Sequence, residues 1–337
     1  MLKVRKNISL KALNTFHFDI YASEYIETNS VKDIQEWLET EKPDLKDVLV
    51  LGGGSNLLFS SDYSGTIIHP LFNDMKIIKE NDDTILIEAG AGRVWDEFVE
   101  FCVNNKYYGI ENLSLIPGTI GAAPVQNIGA YGMEAGNVIE KVNGLFLDSG
   151  NEFSFSNNEC SFGYRKSIFK KELKNRVLIT SVIFRLSKKK QFDLKYGHLE
   201  DKVKGYGEIT IANVRKAVIS IRNSKLPNPV LTGNTGSFFK NPEIPASMYH
   251  KLKTKFTNMP GYPLKNEKFK VPAGWLIDKA GWKGKRSGDA GVHHEQALVL
   301  VNLGNASGKD ILKLASLIEK DIRDKFGIDL EKEVIVV

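Results

Sequence analysis

Two glycine-rich stretches hold the residue types most able to do chemistry in this chain. Gly52-Gly53-Gly54-Ser55-Asn56 follows a short apolar run, Asp47 to Leu51, so bare backbone amides at a strand end could donate to an anion such as a phosphate. It is not the dinucleotide fingerprint: GxGxxG would need glycine at position 57, where Leu57 stands before Leu58, and no Walker lysine follows. Taken alone, such a loop is structural at least as often as functional. The second stretch is Pro117-Gly118-Thr119-Ile120-Gly121-Ala122-Ala123-Pro124-Val125-Gln126-Asn127-Ile128-Gly129-Ala130-Tyr131-Gly132. Small side chains let a cofactor's pyrophosphate and ring approach the main chain closely. Thr119, Gln126 and Asn127 add hydroxyl and amide groups of the kind that a flavin's carbonyls and ring nitrogens need. A purely structural turn has no use for so many glycines with Asn and Gln between them, so the ligand-binding reading leads.

Other chemistries are less well supported. His293-His294-Glu295 lacks the HExxH spacing of a zinc helix, and adjacent residues on a strand point to opposite faces, so the trio reads as structural or supporting, with no metal expected. Cys102 and Cys160 are the only cysteines and sit in no CxxC or Cys/His ligand pattern, which argues against zinc and against a disulfide scaffold. A formal net charge of +5 over 337 residues is mild. It suits a substrate bearing phosphates and a carboxylate; the lysine runs lack interleaved aromatics, which leaves nucleic acid the weaker alternative. The first twenty residues carry four basic side chains but no apolar core of a signal peptide, and no stretch approaches the length of a membrane span. A cytoplasmic protein without a membrane span is the expectation.

The elements that must position these loops are legible from periodicity. Ser30 caps a helix with Val31, Ile34 and Leu38 on one face and Asp33 at the capping-box position. Thr84 to Glu88 reads as a strand, followed by a helix with Trp95, Phe98, Val99, Cys102 and Val103 on one stripe. Gly109 to Gly136 breaks all periodicity, and long irregular stretches in compact domains are usually functional. Strands are expected at Val142 to Leu147, Glu152 to Phe155 and Val177 to Leu186, then a helix phased on Val214, Ala217, Val218 and Ile221 and stopped by Pro227. Beyond a junction at Pro227 to Thr235, Pro245 and Pro272 are placed at first helical positions and Gly281 at a helix end. Ser307 and Asp310 open the clearest helix, with Ile311, Ala315, Ile318, Ile322 and Phe326 on its face and Gly327 closing it. A short strand, Glu333 to Val337, ends the chain. The class is mixed α+β.

Gly52-Gly53-Gly54-Ser55-Asn56-Leu57-Leu58 and Ile116 through Gly132 together resemble the FAD-binding motifs of the UDP-N-acetylenolpyruvoylglucosamine reductase family. The likeness continues in order through Gly163-Tyr164-Arg165, Lys195-Tyr196-Gly197, Lys225-Leu226-Pro227, Gly236-Ser237-Phe238-Phe239-Lys240-Asn241-Pro242 and Ala273-Gly274-Trp275-Leu276-Ile277-Asp278. It spans nearly the whole chain. The resemblance implies a vanillyl-alcohol-oxidase-type (PCMH-type) FAD-binding fold in two subdomains, 1–68 (joined by the last strand, 328–337) and 69–225, with a C-terminal α+β substrate-binding domain at 226–327.

It also implies a reaction and its residues. NADPH would reduce FAD, and the flavin would pass hydride to the enolpyruvyl methylene of UDP-N-acetylglucosamine enolpyruvate, giving UDP-N-acetylmuramate for peptidoglycan. By resemblance Arg165 and Glu333 stabilise the enolic intermediate and Ser237 gives a proton to carbon. Cofactor contacts fall on Gly52, Gly53, Gly54, Ser55, Asn56, Leu57, Pro117, Gly118, Thr119, Gly121, Ala122, Gln126, Asn127, Gly129, Tyr131 and Gly132. Substrate contacts fall on Tyr164, Tyr196, Lys225, Asn241 and Lys283, and Lys195-Tyr196-Gly197 is similar to the tyrosine loop of the family's longer form. One departure stands out: the family usually continues Glu-Val-Arg where this chain has Glu333-Val334-Ile335.

Judged singly, each residue has a plainer reading. The arginine could be a surface ion pair, the serine a turn residue, the glutamate merely exposed, and Tyr196 a core or edge-strand aromatic. The ordered motifs around them reverse that. The rival readings are another FAD-dependent oxidoreductase on the same cofactor fold, and a flavin or nucleotide-sugar binding protein without catalysis.

Overall fold

The computed structural model describes residues 2–337. Its contacts divide the chain into two compact units. The first comprises residues up to Ile8, Ala22–Gly53 and Ser64–Ser224; the second comprises Ser9–Tyr21, Gly54–Tyr63 and Lys225–Val337. Residues 1–68 and 69–225 fall largely in the first unit and 226–327 in the second; residues 328–337, expected to join 1–68, fall in the second unit, as do residues 9–21 and 54–63.

The first unit contains helices α1 (Val31–Glu41), α2 (Trp95–Asn104), α3 (Leu199–Lys204) and α4 (Ile211–Lys225). A four-stranded sheet runs in the order Val4–Ser9, Tyr21–Thr28, Tyr63–Pro70, Val48–Val50, and its last two strands are parallel. A five-stranded antiparallel sheet runs in the order Glu152–Ser156, Ile139–Phe146, Val177–Ser187, Thr84–Gly90, Met75–Glu80. The α2 stripe expected from the sequence is buried as a set: Trp95, Phe98, Val99, Cys102 and Val103. Trp95 and Phe98 pack on Phe184 of the long central strand with ring centroids 5.9 and 4.7 Å apart. Each buried aromatic or aliphatic side chain of this kind contributes about 1.5–3 kcal/mol. Ser30 caps α1 by accepting from the Asp33 amide at 3.2 Å. Cys102 and Cys160 are both buried free thiols.

The second unit holds α5 (Ala246–Lys255), α6 (Ala273–Lys279) and α7 (Gly308–Phe326). Its four-stranded sheet runs Gly233–Ser237, Val299–Asn302, Ala290–Val292, Arg286–Ser287. Glu243–Pro245, Lys268–Lys270 and Tyr262–Leu264 form a smaller sheet. The apolar face of α7, from Ile311 to Phe326, is buried with Leu276 and Ile277 of α6. The α7 start is a full capping box: Ser307 Oγ accepts from the Asp310 amide and the Asp310 carboxylate accepts from the Ser307 amide at 2.9 Å. Gly327 ends it with a left-handed φ of 68°.

Two expectations need correction. Pro245 and Pro272 are not first helical residues but stand one place earlier, with ψ of 145° and 115°. Pro245 is still pairing with Lys268 in a strand, so the chain turns helical only at Ala246. The final strand is also shorter than Glu333 to Val337: only Ile335–Val336 pairs, in parallel with Leu57–Leu58.

Candidate active site

In the first unit the two glycine-rich stretches meet. The Leu51 amide donates to Ile68 O at 2.9 Å and His69 Nδ1 lies 2.7 Å from Leu51 O, which pins the chain just before Gly52. A Cβ on Gly52 would stand 2.6 Å from Thr119 Oγ1, and one on Gly53 would stand 3.2 Å from Gly118 Cα. Only bare main chain can approach so closely. Thr119 Oγ1 is itself buried without a hydrogen-bond partner among the described residues, and a lone hydroxyl there costs free energy unless something satisfies it. Gly121 N donates to Ala91 O at 2.9 Å and Trp95 N to Gly118 O at 3.0 Å, so the second stretch is stitched to the start of α2. Exposed backbone and one unsatisfied hydroxyl fit a dinucleotide cofactor.

Other residues of that stretch are spent on the protein. Gln126 Oε1 accepts from Lys170 Nζ at 3.4 Å. Asn127 is 1% exposed, and its side-chain amide donates to Glu134 Oε2 at 2.7 Å and to Gly163 O at 3.0 Å. Its Oδ1 accepts from Gly136 N at 2.7 Å. Tyr131 has φ of 49° and its carbonyl accepts from Asn112 Nδ2 at 2.9 Å. Arg165 sits at the corner of a tight turn, Gly163 to Lys166, closed by reciprocal backbone bonds of 3.0 Å. Arg165 Nη2 donates to Gly129 O at 3.0 Å and its guanidinium lies over the Tyr164 ring at 5.3 Å. Tyr196 is 59% exposed and meets Tyr131 edge-on, centroids 6.0 Å apart, so it is no core aromatic.

In the second unit the serine and glutamate segments lie side by side. Ser237 ends the strand Gly233–Ser237, opposite Val299, after a bulge in which Gly236 N donates to Asn234 Oδ1 at 2.8 Å. Buried Phe238 and Phe239 anchor the chain immediately after it. Glu333 N donates to Phe238 O at 2.9 Å, and Phe239 bridges to Lys332, so Glu333 is held beside the residue next to Ser237. Asn56 Nδ2 donates to Glu333 O at 3.3 Å, and Ile335 N donates to Asn56 O at 3.0 Å. The segment after the triple glycine therefore braces the glutamate. Lys240 pairs with Glu331. Asn241 Oδ1 accepts from Ala273 N at 2.9 Å, at the start of α6, and Lys283 Nζ lies 2.7 Å from Asp278. Lys225 is exposed at the end of α4.

Known proteins match the chain over its whole length. A family model described as "FAD binding domain" matches residues 22–148, and one described as "UDP-N-acetylenolpyruvoylglucosamine reductase, C-terminal domain" matches residues 228–337. A protein named UDP-N-acetylenolpyruvoylglucosamine reductase from Flavobacterium johnsoniae is 44% identical over 339 residues, covering 100% of both chains. One of the same name from Bacteroides fragilis (strain YCH46) is 43% identical over 98% of this chain and 99% of its own. The chain belongs to the UDP-N-acetylenolpyruvoylglucosamine reductase family. The crystal structure of such a reductase from Thermus caldophilus matches with a TM-score of 0.70 over 100% of this chain and 99% of that one. At 24% identity that likeness establishes a shared fold.

Within this family frame, several supporting residues carry no signal in the sequence. Asp96 of α2 takes a forked ion pair from Arg215 of α4, at 2.6 and 2.9 Å, and also accepts from Leu115 N at 2.5 Å. Arg222, about two turns further along α4, donates from Nε to Leu115 O at 3.2 Å. Burial pulls the Arg222 pKa down, while Tyr131 and Asp96 nearby push it up. Burial raises the Tyr131 phenol, and the Arg222 charge opposes that. Asn112 Nδ2 ties Tyr131 O to Asp193 O at 2.7 Å, joining the cofactor stretch to the segment leading into Tyr196. None of these pairs is close in sequence, and a polar residue on a helix bears no mark of its distant partner. Among the described residues no group of three or more His, Cys, Asp or Glu could hold a metal ion. His293 and His294 pack ring on ring at 4.5 Å, and His293 Nδ1 accepts from Gln296 N at 3.3 Å.

Proposed function

We propose that this chain reduces UDP-N-acetylglucosamine enolpyruvate to UDP-N-acetylmuramate, using FAD with NADPH as hydride donor, in the cytoplasmic supply of peptidoglycan precursor. The observation that carries the reading is full-length relatedness to reductases of this name, at 41–44% identity, combined with the meeting of the two glycine stretches around Thr119. Among the described residues no helix is long and apolar enough to cross a membrane.

Bound FAD would supply the hydride chemistry, accepting from NADPH and reducing the terminal methylene carbon of the enol ether. Gly52 and Gly53 present main chain to the cofactor, and Thr119 offers the hydroxyl that has no protein partner among the described residues. Hydride arriving at the methylene leaves negative charge on the adjacent carbon and its carboxylate. The planar fork of Arg165 is shaped for a carboxylate and gains strength as charge develops there. Glu333 works with Arg165 on the enolic form. Ser237 Oγ passes its proton to the adjacent carbon and recovers one from solvent, the general-acid half of the reaction. Lys240, three residues after Ser237 in the chain, is engaged with Glu331. Tyr164, Tyr196, Lys225, Asn241 and Lys283 hold the nucleotide-sugar, Lys225 as a point charge for its diphosphate.

The test is NADPH oxidation by purified, FAD-loaded protein with and without UDP-N-acetylglucosamine enolpyruvate. A large rise in rate on adding that substrate is expected. Yellow protein with no rise would point to another FAD-dependent oxidoreductase of the same fold, and protein that takes up no FAD would overturn the reading.

A further inference from the structure

We infer that Asn127 is a positioning residue for Arg165, linking the cofactor stretch to the turn that carries the arginine, and not a ligand of the cofactor through its side chain. The inference rests on the reductase reading above. A primary amide has two N–H donors, and both of those on Asn127 are used: one goes to Glu134 Oε2, the other to Gly163 O. The acceptor is engaged as well, by Gly136 N. At 1% exposure the side chain has no open face toward a ligand. Its three partners belong to three backbone segments: the hairpin strand Met133–Glu134, the single-turn helix Ala135–Asn137, and the Gly163–Lys166 turn.

That turn needs a brace. Arg165 holds φ of 52°, a left-handed conformation that costs a non-glycine residue about 1–2 kcal/mol. Two bonds fasten the turn to one stretch of chain: Asn127 Nδ2 to Gly163 O, and Arg165 Nη2 to Gly129 O. Anchor points two residues apart on the cofactor stretch therefore set both the backbone of the turn and the heading of the guanidinium. Asn127 itself holds φ of 47°, which asparagine tolerates better than most residues because its short side chain bonds locally. Loss of the amide leaves Gly163 O only the bond from Lys166 N inside the turn, removes the tie between the turn and the cofactor stretch at that point, and lets the fork drift. A displacement of about 1 Å at a reacting group can cost about 100-fold in rate.

The experiment compares the two half-reactions in Asn127→Gly and Asn127→Asp holoenzymes. Glycine suits the left-handed backbone and removes only the side chain, while aspartate keeps the shape and the Gly136 bond but turns a carboxylate toward Glu134 and Gly163 O. Three readouts are needed: FAD affinity by titration, bleaching of the flavin by NADPH, and reoxidation of the reduced holoenzyme by UDP-N-acetylglucosamine enolpyruvate. FAD affinity and NADPH bleaching within about threefold of the parent are expected, with reoxidation slowed about 10- to 100-fold. In Asn127→Asp, reoxidation recovers in part as pH falls, because a protonated carboxyl regains one donor. FAD affinity lost in both variants, or both half-reactions slowed alike, would overturn the positioning role, as would unchanged reoxidation. If the parent protein itself is not reoxidised by this substrate, the functional reading fails instead.

Discussion

A serine hydroxyl is a weak acid, yet the proposed reaction has Ser237 protonate carbon. Replacing Ser237 by Ala removes that proton and nothing from the cofactor stretches. The expected outcome is retained FAD, retained NADPH oxidation, and turnover of the enolpyruvyl substrate lowered about 100- to 10,000-fold, measured by steady-state kinetics. Full activity in the variant would remove Ser237 from the mechanism. Gly54 is constrained in a different way. Its φ is 62° and a Cβ there would fall 1.9 Å from Leu13 O, so Gly54→Ala collides with backbone that cannot move aside cheaply. Poor soluble yield or a strongly lowered Tm is expected. At this scale the sequence disclosed the residue types but not their partners. Thr119 was legible as a hydroxyl on a cofactor stretch; that its oxygen is left unsatisfied while Asn127 is fully engaged depends on contacts with Glu134, Gly136 and Gly163. Those are set by chain crossings that local spacing does not encode.

The helices show where local rules suffice. α7 declares both ends, because Ser307, Asp310 and Gly327 act on their own backbone, and its buried face follows from a 3.6-residue period. Ser307→Ala should cost about 1 kcal/mol, seen as a lower denaturation midpoint with an unchanged m-value. The Ser307 hydroxyl and amide hold the Asp310 carboxyl below its usual range. A lowered folded-state pKa means the contribution is present above about pH 3.9, the unfolded value, and is lost as pH falls through the folded value. The gap between parent and Ser307→Ala should therefore narrow on acidification toward about pH 3. Strand ends and proline positions were less legible. Pro245 looked like a helix start but is held in a strand by Lys268, a tertiary partner overriding a local preference. The α2 to α4 brace is invisible locally for the same reason. Arg215→Met strands Asp96 without its forked partner, and breaking such a half-buried pair costs up to about 3–5 kcal/mol, less where water reaches the carboxylate. A fall in Tm is expected. FAD affinity should fall too, because Leu115, which hangs on Asp96, leads directly into the cofactor stretch.

Across the whole molecule, binding and folding are linked. A cofactor that binds only folded protein stabilises it by about 2.7 kcal/mol at 100 times its Kd, so flavin-free protein should melt lower and its Tm should rise with the logarithm of free FAD above Kd. An absence of any shift would count against FAD as the partner. The sequence by itself determined the mixed α+β class and helices such as α1, α2, α4 and α7, which depend on periodicity and on residues that act within a few positions of themselves; the class of cofactor and the order of motifs came from its resemblance to a known family. Tertiary structure decided the rest. It brought Gly52 to Thr119, laid Glu333 beside Phe238, and took residues 9–21 and 54–63 into the second unit. It also decided which polar side chains of the cofactor stretch stay open and which are closed off as braces. The physical reason is that a buried donor or acceptor must find a partner wherever the fold delivers one. Which side chain is used up, and which is left for a ligand, depends on distances between segments far apart in the chain.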